Sequence, residues 1–247
     1  LDEARALVRA REAGARLLVT GRFARPNWKS EVTVRLLAVE PNGLREVASE
    51  TVVGERDALF DLLDQALDRA LAKRGLTPSG DALAALHRRP TKDLYAFTLF
   101  GRALNLYFGI GGTKSDEQAE KILSRTTFID PKFAEAHRAL GLLLLARGEA
   151  GRAAGQYAHA LDLKPAYYPA MVGLAQLYRA EGKRQPAREM AEKAIVLRPW
   201  DTETRFLLGS LELEAGDLDK ALADLKLVCT ARPRSLPARR ALAQVFA

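Results

Sequence analysis

From Ala134 onward, apolar and small residues recur with two rhythms, three or four residues apart within a segment and 34 residues apart between segments. The short rhythm predicts amphipathic helices. The long one predicts helix pairs stacked in an array. Leu140, Leu174 and Leu208 share a column, followed by Gly141, Ala175 and Gly209. Ala153, Ala187 and Ala221 form another, as do Ala160, Ala194 and Val228. Between these two falls a variable column of Tyr157, Ala191 and Leu225, and Pro131, Pro165, Pro199 and Pro233 punctuate the series. The predicted helices are 134–146 with 151–163, 168–181 with 185–197, and 202–214 with 218–230.

Residues 1–76 have a different pattern. Ala4–Ala13 reads as a helix with Ala4, Leu7 and Val8 on one face. Arg16–Phe23 reads as a strand, and Val32–Val39 alternates Val32, Val34 and Leu36 against Thr33 and Arg35. Pro41-Asn42-Gly43 predicts a turn, Arg45–Val53 a third strand, and Asp57–Arg74 a helix. Its apolar stripe is expected to run through Leu59, Phe60, Leu63, Ala66, Leu67 and Leu71. This order predicts an α+β domain with an antiparallel three-stranded sheet.

Physical requirements account for the columns. Numbering each unit from Ala134, Tyr168 and Thr202, small residues at positions 8 and 20 let two helices approach closely. Larger ones at 7, 11 and 24 fill the space beside them, and proline at 32 ends the second helix. Gly148, Gly182 and Gly216 at position 15 supply the left-handed backbone of a helix end. This pattern resembles the tetratricopeptide repeat. The resemblance implies a right-handed α-solenoid over 92–247: an irregular repeat 92–133, regular repeats 134–167, 168–201 and 202–235, and a partial fifth 236–247. More weakly, LLVTGRFAR and VTVRLLAVEPNGLREVASE are similar to part of the amino-terminal domain of TolB-like and FlgO-like bacterial envelope proteins. That similarity implies a bacterial, non-catalytic accessory module over 1–76, and residues 77–91 are read as a linker.

In the irregular repeat, Leu99, Gly101, Leu104 and Tyr107 are matched to a first helix, and Ala119, Leu123 and Pro131 to a second. Extra residues fall in Phe108–Ser115, whose Gly-Gly-Thr-Lys-Ser superficially suggests a phosphate loop. A phosphate loop needs Gly-Lys-Ser/Thr after a strand. Here Thr113 replaces the glycine, a helix precedes, and Ser115 before Asp116 and Glu117 reads as a helix cap.

Composition narrows the chemistry. The chain has 247 residues, net charge +7 and one cysteine, Cys229, so no intrachain disulfide forms. The basic excess is spread thinly, without the basic stripe and interleaved aromatics of nucleic-acid binding. The longest apolar stretch, Ala139–Ala146, is far short of the ~18 residues of a membrane span. His87, His137 and His159 read as lying in unrelated settings, and no catalytic, metal or cofactor constellation emerges. The first residues suggest a chain cut within a helix, which leaves the compartment open between bacterial cytoplasm and envelope.

The expected function is therefore a non-enzymatic scaffold that binds a protein partner, a peptide segment or a helix, in the concave wall lined by first helices. The candidate residues are Arg138, Leu142, Leu145, Val172, Gln176, Arg179, Phe206, Ser210, Leu213, Arg240 and Gln244. The Lys/Asn/Asn/Lys/Arg set by which some such arrays hold a terminal carboxylate is not among them. A competing view has Leu142, Leu145 and Phe206 packing between units and the arginines pairing with carboxylates. Trp28 is a second candidate contact, and Trp200 is expected to pack between units. The alternative function is the regulatory region of a larger bacterial kinase, cyclase or transcription regulator.

Overall fold

The structure is a computed structural model that describes residues 3–12, 14–24, 29–55, 57–110 and 112–246. Trp28 lies outside them. The chain divides into two compact units between Leu94 and Tyr95.

In the first unit, helix α1 (Glu3–Glu12) precedes strands β1 (Leu17–Ala24), β2 (Ser30–Glu40) and β3 (Gly43–Gly54), then helices α2 (Leu59–Lys73) and α3 (Gly80–Leu86). The strands form an antiparallel meander in the order β1-β2-β3. Alternation sends Val32, Val34 and Leu36 into a core with Ala48, Val52, Leu62, Ala66, Ala70 and Leu71. A register shift at Leu36/Leu37 lets both leucines be buried. The stripe on α2 runs through Leu62, whereas Leu63 is exposed. Leu62, Ala66 and Ala70 follow at four-residue intervals, and Leu63 stands about 100° round the helix from that line.

The stretch 77–91, read as a linker, carries α3 and side-chain contacts to α2. Ser79 caps α3 by accepting from the Ala82 amide. His87 Nε2 lies 2.9 Å from Asp68 Oδ1. The Arg89 guanidinium bonds Asp64 and covers the Phe60 ring, 5.0 Å from its centroid. These contacts dock the stretch on α2.

The second unit is a tetratricopeptide-like α-solenoid. Its helices are α4 (Leu94–Phe108), α5 (Asp116–Ile129), α6 (Ala134–Ala146), α7 (Ala150–Leu163), α8 (Tyr168–Ala180) and α9 (Arg184–Leu197). They continue as α10 (Thr202–Ala215), α11 (Leu218–Ala231) and α12 (Leu236–Gln244). Gly148, Gly182 and Gly216 take φ of 79°, 73° and 82° at the helix–helix turns. The columns at positions 20 and 27 are sealed: Ala153, Ala187, Ala221, Ala160 and Ala194 are all 0% exposed. Ser115 caps α5 through the Gln118 amide, so a helix follows the glycine-rich loop as expected.

Successive units are joined by paired sizes at positions 24 and 6. Tyr157 is fully buried against Gly173 of the next unit, where an added Cβ would lie 2.5 Å from the ring. Ala191 shares a core cluster with Leu207, and Leu225 shares one with Ala241. Leu123 and Ala139 pair in the same sense. A large residue at 24 always meets a small one at 6, or the reverse. Close packing demands that complementarity.

Two expectations are corrected in this unit. Gly101 is exposed with open space around it, and the buried small residue of α4 that clusters with Ala119 and Leu123 is Ala103. The extra helical length of α4 shifts the closely packed position by two residues. His137 and His159 are brought together, with ring centroids 4.3 Å apart. Their Nε2 atoms lie 3.0 and 3.3 Å from the Pro131 carbonyl oxygen. They sit 22 residues apart on the paired helices α6 and α7, a proximity that linear spacing conceals.

Candidate functional site

Positions 2, 5, 9, 12 and 13 of the first helices come from α6, α8 and α10. The structure gathers Gln176, Arg179 and Phe206 into one open cleft of about 650 Å³, shared by α8, α10, α11 and the start of α12. Its apolar floor is Phe206, Leu207 and Val228, and Arg179, Glu203 and Arg232 stand among its polar lining. Phe206 is only partly covered, by the cluster around Leu225 and Ala241.

The charges of this wall are mostly paired. Arg179 Nε and Nη2 both reach Glu214 Oε1, at 3.0 and 2.6 Å, linking α8 to α10. Arg232 Nη1 lies 3.7 Å from Glu203 Oε1. Lys164 Nζ makes the equivalent bond to Glu135 Oε1 at 2.5 Å. In the middle repeat Pro169 replaces the acid, and Arg198 instead lies over the Tyr168 ring, 4.7 Å from its centroid. The basic residue at position 31 thus ties each second helix back to the start of its own first helix. That signal was legible as Lys164, Arg198 and Arg232 in one column, and it would have added Arg232 to the candidate set.

The other candidates are dispersed. Arg138 is half-buried beside Tyr167, and its Nε is buried with no hydrogen-bond partner. Burial raises the Tyr167 phenol pKa, while nearby Arg138 lowers it. Leu142 and Val172 are half-buried. Leu145 and Leu213 pack against core clusters. Ser210 is buried, and its hydroxyl donates to the Phe206 carbonyl at 2.7 Å, which removes it from an accessible surface. Arg240 and Gln244 are exposed on α12. Trp200, expected to pack between units, is 46% exposed.

Among the described residues, no group of three or more His, Cys, Asp or Glu side chains is arranged to hold a metal ion. No described helix is long and apolar enough to cross a membrane.

No family model matches the chain. Superkiller protein 3 of Schizosaccharomyces pombe is 26% identical over 115 residues, which are 47% of this chain and only 8% of that protein. A tetratricopeptide repeat protein from Parabacteroides merdae is similar in structure with a TM-score of 0.53 and 18% identity, over 62% of this chain and 59% of its own. MamA from Desulfovibrio magneticus gives 0.55 at 17% identity, over 63% and 85%. A thermophilic tetratricopeptide protein from Thermus thermophilus gives 0.50 at 20% identity, over 76% and 90%. The helical unit has the tetratricopeptide fold.

Proposed function

We propose that this chain is a non-catalytic protein-interaction scaffold whose inner wall grips an extended peptide segment or a helix of a partner. The observation that carries this reading is the cleft around Phe206. An apolar floor of Phe206, Leu207 and Val228 bordered by Arg179 and Arg232 supplies the kinds of anchor that dominate protein interfaces. In this reading Arg138, Gln176, Arg240 and Gln244 extend the contact along the wall, and the first unit is a TolB-like accessory module of a bacterial assembly.

The test pans a displayed library of linear peptides on the full chain. Selected peptides are expected to lose roughly tenfold or more in affinity for an Arg179→Gln, Phe206→Ala double variant. Glutamine is preferred to a charge reversal because Glu214 already faces this position at 2.6 Å. The melting temperature is followed in parallel, since Phe206 also packs on a core cluster. Peptides that bind the variant as tightly as the parent would place the binding surface elsewhere.

A further inference from the structure

Position 11 of a repeat is a space-filling position, held by Leu144 and Tyr178 in the first two regular units. In the third it is Glu212, which is 4% exposed. Its Oε2 is buried and has no hydrogen-bond partner. α10 packs against both α9 and α11, and charged groups on both helices act on the carboxyl. From α9 come Arg188 and Glu192, and from α11 Lys220 and Asp224.

Arg188 and the arginine that holds Asp224 are already engaged. Arg188 donates to Glu192 at 3.0 Å and to Asp217 at 2.7 Å. Arg205, on α10 itself, donates to Asp224 at 2.5 Å. An ionised Glu212 would be a buried charge with an unsatisfied oxygen among two other carboxylates, whereas the protonated acid is neutral and close in size to the leucine it replaces.

We propose that the joint between the second and third regular repeats is a proton-operated latch, in which protonated Glu212 seats α10 against α9 and α11 and loss of that proton loosens it. Burial first, and then Asp224, push the Glu212 carboxyl up to about 7. A raised carboxyl penalises the folded, ionised state. The penalty is absent below the ordinary carboxylate range, grows as pH rises toward 7, and is complete above it. The latch therefore closes in mild acid and relaxes in mild base. Its position also matters to the cleft, because α10 supplies Thr202, Glu203, Phe206 and Leu207 to that lining. The inference concerns the joint alone and does not depend on what the cleft binds.

Amide hydrogen exchange by mass spectrometry, corrected for intrinsic pH dependence, tests it on the full chain. In the parent, peptides covering 202–231 are expected to lose protection roughly tenfold or more between pH 5.5 and pH 8. Glu212→Gln, which keeps the shape without the proton, is expected to hold that protection constant. Glu212→Leu, matching Leu144, gives the same readout if the amide variant folds poorly. Peptides covering 134–163 serve as the internal reference. Equal pH responses of 202–231 in parent and variants would overturn the latch.

Discussion

Tyr157→Ala is expected to lower the stability of the repeat array by about 3–5 kcal/mol, as for other large aromatic truncations in cores. The side chain is 1% exposed and packs within 4 Å of where Gly141 and Gly173 would carry a Cβ. Its removal opens one cavity shared by the two halves of a repeat and the start of the next. Tyr157→Phe separates packing from hydrogen bonding. The phenol oxygen is buried with no partner, and burial pushes its pKa up to about 12. Deleting it is expected to change stability by less than about 1 kcal/mol, or to raise it. Urea unfolding followed by circular dichroism measures both. A phenylalanine variant as damaged as the alanine variant would show that the hydroxyl has a partner and that the ring does not carry the joint.

Gly173→Leu is expected to cost at least about 3 kcal/mol, since even the first added carbon falls 2.5 Å from the Tyr157 ring, which is itself fully buried and also packed close to Gly141. The gain in helix propensity over glycine, about 1 kcal/mol, offsets only part of this. Combining it with Tyr157→Ala reproduces the Ala191–Leu207 arrangement of the following joint. The double variant is expected to be more stable than either single one, with a coupling energy of about 2–3 kcal/mol. Additive losses would show that the two positions do not share a packing space.

The repeats were legible because helix pairing needs particular residue sizes at fixed intervals, and the columns through Gly141, Ala153 and Ala160 state those sizes directly. The strands were legible for a similar reason, since Val32, Val34 and Leu36 alternate with polar neighbours. What escaped depends on rotation or on contacts across helices. Leu62 and Leu63 are equally apolar, and only the direction of approach of the sheet decides which is buried. Gly101 has the right residue type, but α4 is longer than its counterparts and carries Ala103 into the buried place. The cleft was half legible: Gln176, Arg179 and Phe206 follow from the inner-wall positions, whereas Val228 lies on the second helix of its unit and Arg232 caps that helix. Ser210 occupies an inner-wall position, but a serine on a helix can turn its hydroxyl back to the carbonyl four residues earlier.

One joint, Ala191 with Leu207, reverses the bulky-then-small sense of the others, and this gives the array a fixed order. Excising residues 168–201 would set Tyr157 against Leu207, two bulky groups in space built for one. Excising 202–235 would set Ala191 against Ala241, two small groups that leave a gap. Loss of either repeat that meets at the reversed joint therefore damages a seam as well as changing the length. Growth of such an array by copying one unit therefore needs a new size match only where the sense of the pair reverses.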